Sequence, residues 1–305
     1  MQTPSVLPTL ANTDAGLDSV RVDGGGHQSQ PARPKQRMLS IPDPLEVRVN
    51  TMITSRLGRN TRDLRNLPIP SAVIGDVHGC WHTLSTLLDT IGINMHHGDD
   101  VIVSVGDLHD KGGVGIDSAE GPAAAGSVQV LRWSMEQHAN GRLIVVDSNH
   151  GQALVRRIAS GKHAKPSVET TYDEIMAQHD AATLAPAVRA FLSDLPLFAR
   201  FQGGPTGEIV VAHAAVAERL YDQRHLRPEE ERFSVLARTF RWNGEATAVV
   251  GHIRTSEPTR VHNDAGGDLL RIDTGCGESG GRLTAWLPGS DEFVSVPVDP
   301  RDLRP

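Results

Sequence analysis

Aromatic side chains are scarce in this chain: Phe, Trp and Tyr together make up 4% of its 305 residues. The core is therefore expected to consist of Val, Ile, Leu and Ala. Cysteine is scarcer still. Cys80 and Cys276 are too few for a disulfide framework or a four-thiolate zinc site, which points to the reducing cytoplasm. A basic excess is also missing, since 30 Lys and Arg stand against 37 Asp and Glu for a formal charge of −7. Extended nucleic-acid binding, which needs a basic stripe to displace counterions, is not expected. No apolar run approaches the roughly 18 residues that span a bilayer, and the first twenty residues lack the basic and apolar regions of a signal peptide. The chain reads as soluble and unprocessed, with no membrane partner, and it is long enough to bury a large core.

Glycine and proline, by contrast, are plentiful at 30 and 19 residues, which implies many turns. Residues 1–68 combine Gly24, Gly25 and Gly26 with scattered prolines and no sustained apolar period, so they are expected to form a flexible or partly ordered N-terminal segment. Within it, Leu45, Val49, Met52 and Ile53 fall near helical spacing, and a short helix over 45–64 is the one element expected there. Residues 69–305 form the folded domain. Apolar strands are predicted at 71–75, 101–105 and 143–146. Between and after them come helices carrying Leu84, Leu87, Leu88 and Ile91, then Val130, Leu131 and Met135, then Ala153, Leu154 and Ile158. Strands alternating with helices imply a buried, largely parallel sheet. A helical stretch near 169–194 follows. Strands are then expected at 197–201, 208–212, 247–251, 268–273, 282–287 and 292–297, forming a second sheet of mixed or antiparallel order. The predicted fold is α/β, with two packed mixed sheets flanked by helices.

Polar residues cluster where these strands end, which is where sites assemble in α/β sheets. Gly75, Asp76, Val77, His78 and Gly79 close the first strand. Gly106, Asp107, Leu108, His109, Asp110, Lys111 and Gly112 close the second, and Asp147, Ser148, Asn149, His150 and Gly151 the third. His213 and His252 each end a later strand. Asp76, His78, Asp107, Asn149, His213 and His252 thus offer oxygen and imidazole donors without thiolate, which suits Mn²⁺, Fe or Zn²⁺. More donors than one ion needs suggests a pair of divalent ions about 3.5–4 Å apart, with Asp107 as the natural bridge.

In these motifs, G-D-x-H-G, G-D-x-x-D-K-G and N-H followed by two later histidines, the chain resembles the calcineurin-like metallophosphoesterases of the phosphoprotein-phosphatase branch. The segment Ile272–Cys276 with Gly280–Ala285 is similar to the bacterial diadenosine tetraphosphatases and RNA-repair phosphatases. The resemblance covers about Ser71 to Val298. It implies an α/β/β/α sandwich with Asp76 and His78 on a first metal, Asp107 bridging, and Asn149, His213 and His252 on a second, Mn²⁺ being the leading choice. It implies a metal-bridging hydroxide attacking a phosphate ester, His150 paired with Asp110 protonating the leaving oxygen, and Lys111 and Glu278 meeting the substrate. The expected substrates are nucleotides or dinucleoside polyphosphates; the alternatives are a phospho-Ser/Thr protein substrate, or a metal-binding regulatory homologue with weakened turnover. The family pattern has Arg where Lys111 stands, Gly at Ser148 and an acid at Gly151, changes that bear on phosphate grip and on the metal surroundings.

Other polar clusters have plainer readings. His109 is expected to be a loop histidine; His96, His97, Asp99 and Asp100 a solvated turn; Arg156, Arg157, Lys162 and Lys165 a solvated helix face, with polyphosphate or phosphopeptide contact as the alternative; and Cys276 a small apolar packing group.

Overall fold

A computed structural model describes residues 61–112, 126–216 and 234–304, all within one compact unit. Its first sheet is built on three short parallel strands, β2 (Ala72–Ile74), β3 (Ile102–Ser104) and β4 (Leu143–Val145), paired in the order β2, β3, β4. Every residue in them is buried. Alternate residues face opposite ways, so both faces need an apolar cover, and the strands accordingly read as unbroken apolar runs. Ala72, Ile74, Ile102, Leu143 and Val145 face a helical layer, whereas Val73, Val103 and Ile144 face the second sheet.

Among the described residues, five helices form that layer: α1 (Trp81–Thr90), α2 (Gly126–Ala139), α3 (Asn149–Ser160), α4 (Pro166–Met176) and α5 (Ala181–Ser193). In α1 the apolar residues Leu84, Leu87 and Leu88 recur at three and four residues and are fully buried. Helix α3 starts at Ser148, whose hydroxyl accepts from Gly151 N, and ends at Gly161 in the left-handed region. The single helical stretch expected near 169–194 is two helices, because the chain turns at 177–180 before α5 begins. Helix α1 has no side-chain cap of its own at Cys80. Asp302 supplies one from the far end of the chain, where its buried carboxylate accepts from His82 N at 3.2 Å, Thr83 N at 2.7 Å and Thr83 Oγ1 at 2.7 Å.

The second sheet is mixed. In chain order its strands are β1 (Thr61–Asp63), β5 (Phe198–Gln202), β6 (Glu208–Ala212), β7 (Thr247–Val250), β8 (Thr259–His262) and β9 (Asp268–Arg271), with the spatial order β1-β5-β6-β7-β9-β8. Ala199, Phe201, Ile209, Val211, Val249 and Leu270 meet the first sheet. Phe198, Val210, Ala212, Ala248, Val250 and Leu269 line the opposite face with Val235 and Trp242. Two strands expected in this sheet lie elsewhere. β10 (Arg282–Leu287) pairs antiparallel with β2, and β11 (Glu292–Pro297) with β10, which makes the first sheet five-stranded. Strand β8, which the sequence pattern did not predict, forms a hairpin with β9.

Residues 1–60, including 45–60 of the expected helix, lie outside the described residues. Residues 61–63 are extended rather than helical and pair parallel with β5. Leu64 behind them is buried between the sheets, so residues 61–68, grouped with the N-terminal segment by composition, contribute to the sandwich.

Candidate metal centre

Strand ends from both sheets converge here. β2, β3 and β4 deliver Asp76 and His78, Asp107, and Asn149 and His150; β6 and β7 deliver His213 and His252. The loops are stitched together by backbone bonds from Val77 N and His78 N to the Asp107 carbonyl at 3.1 and 2.8 Å. They are also strained. Of five non-glycine residues with positive φ among those described, four belong to this site: His78 (50°), Asp107 (44°), Asp110 (105°) and His252 (65°). Each such conformation costs of order 1–3 kcal/mol and persists only where its surroundings impose it. Gly251 shows how closely the site is packed, since a methyl group there would collide with Asp76 Oδ1.

Hydrogen bonds fix which atoms face inward. His78 Nδ1 donates to the His109 carbonyl at 3.1 Å and His213 Nδ1 to the Val105 carbonyl at 2.9 Å. This leaves each Nε2 as the inward-facing donor atom, the arrangement that orients metal-binding imidazoles. Those atoms lie 3.9 and 3.6 Å from Asp107 Oδ2. Asn149 Oδ1 stands 2.7 Å from His213 Nε2 and 3.1 Å from His252 Nδ1. Asp76 is held by the His252 backbone N–H, 3.1 Å from Oδ2.

Two groups of donor atoms lie within 4.8 Å of one another: His78, Asp107 and His150, and Asp76, Asp107 and His213. Asp107 belongs to both. The charges fit cations as well. Burial, followed by the negative charges of Asp273 and Asp107, pushes Asp76 well above the usual carboxylate range, and burial also raises Asp273. Asp107 goes the other way: burial alone would raise it, but His213, His150 and His78 together hold it far below that range. Burial drives His78 down to about 3 and His252 to about 4, keeping both rings neutral and able to ligate. The buried carboxyl groups of Asp76 and Asp107 with imidazole nitrogens beside them form a donor set suited to hard or borderline divalent ions.

Beside this cluster, Asp110 accepts from His150 Nδ1, from His109 Nδ1 at 2.6 Å and from Thr171 Oγ1 at 2.9 Å. Burial opposes its charge, but His109 and His150 outweigh that and keep it ionised. Lys111 Nζ donates to Glu278 Oε1 at 2.7 Å, while the Arg254 guanidinium bonds the other oxygen of Glu278.

A family model described as calcineurin-like phosphoesterase matches residues 69–274. The chain belongs to this family. As a calcineurin-like phosphoesterase it is a metal-dependent phosphoric ester hydrolase. Bis(5'-nucleosyl)-tetraphosphatase PrpE [asymmetrical] of Bacillus subtilis (strain 168) is 26% identical over 249 residues, covering 74% of this chain and 93% of the relative. A symmetrical bis(5'-nucleosyl)-tetraphosphatase of Shewanella sediminis (strain HAW-EB3) is 26% identical over 190 residues, 62% of this chain and 59% of that one. A solved structure recorded as a proposed diadenosine tetraphosphatase shares the fold, with a TM-score of 0.54, 23% identity, and coverage of 79% of this chain and 99% of the other.

The phosphoesterase site brings all ten sequence-predicted residues to two adjoining patches: eight around Asp107 and Asp110, and Lys111 with Glu278 at the rim. Four contributors escaped the sequence reading. His109 lies in a loop, as expected, but is buried there; its carbonyl orients His78 and its ring holds Asp110. Arg254 brings a guanidinium to Glu278, the carboxylate that Lys111 also bonds. Asp273 adds a third buried carboxyl group. Lys165 Nζ donates to His150 Nε2 at 2.7 Å, a contact between residues fifteen apart that no local pattern signals. Ser148, where the family has glycine, caps α3. The cluster around His96 and His97 is the exposed turn expected, with both backbone N–H groups bonded to Asn94 Oδ1. Cys276 is buried, as its apolar reading required.

Proposed function

We propose that the protein hydrolyses dinucleoside polyphosphates, using two divalent ions held by Asp76, His78, Asp107, Asn149, His213 and His252. The observation that carries this reading is that Asp107 belongs to two donor groups, one with His78 and His150 and one with Asp76 and His213; Asn149 Oδ1 stands beside His213 and His252, and relatives whose names specify bis(5'-nucleosyl) tetraphosphates support it. Mn²⁺ is the preferred ion, because the donors are carboxylate, amide and imidazole with no thiolate. Two free, buried cysteines suit a cytoplasmic enzyme.

Divalent ions in this position supply Lewis-acid polarisation of phosphoryl oxygens and acidify water. The chain's own residues do the rest. Lys111 and Arg254 present positive charge to the phosphate, with Glu278 as the shared counter-ion that fixes both side chains. His150, oriented through Nδ1 by Asp110, accepts from Lys165 Nζ at Nε2; once Nε2 has taken up a proton it hands that proton to the leaving oxygen. The N-terminus of α3 points its positive end at the same place, with His150 N donating to Asp107 Oδ1 at 3.3 Å.

Turnover by the Mn²⁺-loaded protein on p-nitrophenyl phosphate, diadenosine tetraphosphate, nucleoside 2′,3′-cyclic phosphates and a phosphoserine peptide tests the reading. The expected order places diadenosine tetraphosphate first. A phosphopeptide in first place would make the chain a protein phosphatase, and no turnover on any of the four would make it a binding homologue.

A further inference from the structure

A groove of about 970 Å³ opens beside Asn149 and follows one flank of α3 to the α3–α4 connection. Its lining combines two chemistries: exposed Arg156, Lys162 and Lys165, and apolar Leu236, Ala153 and Ala159. Leu236 is 40% exposed, an unusual state for a large apolar side chain in this protein. Arg157 also borders the groove, but it is committed elsewhere. Its guanidinium donates to Glu169 at 2.9 Å and to the Gly161 carbonyl at 3.0 Å, and stacks on Tyr172 at 3.8 Å. Among the described residues, no carboxylate pairs with Arg156, Lys162 or Lys165, so their charge is available to a ligand.

One contact joins the groove to the reaction centre. Lys165 Nζ bonds His150 Nε2, the nitrogen that faces the leaving oxygen, so the departing half of a substrate is led directly into the groove. We infer that the groove binds that half as a nucleoside polyphosphate. Lys165, Arg156 and Lys162 run along its phosphates, and Leu236, Ala153 and Ala159 cover the nucleoside. The inference rests on the dinucleoside polyphosphate reading above and adds a residue-level origin for it.

In the reaction, the oxygen of water bonds to the attacked phosphorus as the bond from that phosphorus to its bridging oxygen breaks. The electron pair of that bond stays on the bridging oxygen, and the proton lost by water goes to solvent. A polyphosphate oxygen is a weak base, so neutralising its new charge matters more than protonating it. Lys165 turns from His150 to supply that charge, which makes it a specificity-determining residue for phosphoanhydrides over simple esters.

The test uses the full-length Mn²⁺-loaded protein with diadenosine tetraphosphate, with p-nitrophenyl phosphate, whose leaving group carries no phosphate chain, and with inorganic tripolyphosphate as inhibitor. The double variant R156A/K162A is compared with R156K and with R189A, which changes an exposed arginine on α5 away from the groove. The double variant should lower the ratio of kcat/KM on the tetraphosphate to that on p-nitrophenyl phosphate by about tenfold or more, and raise the tripolyphosphate inhibition constant about fivefold or more. R156K should recover part of both effects, and R189A should match the wild type. An unchanged ratio and inhibition constant in the double variant, with wild type cleaving the tetraphosphate, would overturn the groove assignment. Wild type that cleaves p-nitrophenyl phosphate but not the tetraphosphate would overturn the substrate reading instead. Calorimetric titration of tripolyphosphate into chelator-treated protein then decides the groove by itself: weaker binding to the double variant keeps it, and equal binding removes it.

Discussion

Replacing His150 by alanine removes the imidazole that Asp110 orients toward the leaving oxygen. It leaves in place the His150 backbone N–H, which donates to Asp107 Oδ1 at 3.3 Å. The cation site should therefore keep its occupancy while turnover falls. General acid catalysis contributes roughly 10²- to 10⁴-fold, or about 3–5 kcal/mol of barrier at about 1.4 kcal/mol per decade. How much of this is lost depends on the leaving group. p-Nitrophenolate departs without a proton, so its turnover should fall by about tenfold or less, whereas an alkyl phosphate should lose about a thousandfold. Asp110→Asn sharpens the comparison. The carboxylate serves His109, His150 and Thr171 at once, and an amide with a single acceptor oxygen cannot orient both rings. It should show the same leaving-group bias, and the double variant H150A/D110N should be no slower than H150A alone, because the two residues act as a unit. Steady-state kinetics on the two esters, with metal content measured on the same samples, provides the assay. Equal losses on both esters would refute the proton-donor role, and loss of a cation in H150A would make His150 a ligand.

Three further outcomes follow from the packing and charge of the site. Asp302→Ala leaves three donors at the start of α1 without their acceptor and should destabilise the protein by about 3 kcal/mol in urea unfolding, combining a lost cap with buried unpaired groups; a change below about 0.5 kcal/mol would show that α1 is capped some other way. His78 and His252 titrate at about 3 and about 4 in the fold against 6.5 as the ordinary value, so between those limits the unfolded chain binds more protons at these rings and their contribution to stability rises with pH. Asp76 and Asp273, raised by burial, act in the opposite sense over the same range, so the imidazole contribution is read as a difference: between about pH 6.5 and 4 the Tm of chelator-treated wild type should change in the destabilising direction relative to His252→Asn, and parallel curves would refute it. A chain starting at residue 61 should match the full-length Tm, whereas one starting at residue 70 loses β1 and the buried Leu64, worth about 1.5–3 kcal/mol in the leucine alone; equal melting of the two would make β1 dispensable.

The residues that converge here were legible because each lies just past an apolar run, with glycine directly before Asp76, Asp107 and His252, and strand ends are readable from such local contrast. Asp107 as the shared residue followed from the same logic. Sheet partnership was not legible. β10 and β11 look like further strands of the second half, yet β10 joins β2 across some two hundred residues, a choice made by tertiary packing rather than by local pattern. β8 is short and half exposed, with no apolar alternation to mark it. His109 is the loop residue expected, but its contacts with Asp110 and His78 were not legible because burial of a loop histidine beside an acid leaves no periodic trace. Arg156, Arg157, Lys162 and Lys165 read as a solvated helix face, with polyphosphate or phosphopeptide contact as the alternative; Arg157 is instead buried against Glu169 and Tyr172, while the other three are exposed and the α3–α4 connection places Lys165 against His150 at the edge of a groove.

The claim that most needs testing is that Asp107 serves two cations at once. Elemental analysis of protein stripped with chelator, reloaded with Mn²⁺ and passed through a desalting column gives the ratio directly. Two ions per chain are expected for the wild type, about one for His78→Ala and fewer than one for Asp107→Asn, with p-nitrophenyl phosphate turnover falling in the same order. A wild type that holds a single ion, or an Asp107→Asn variant that keeps two with near-normal turnover, would contradict the account.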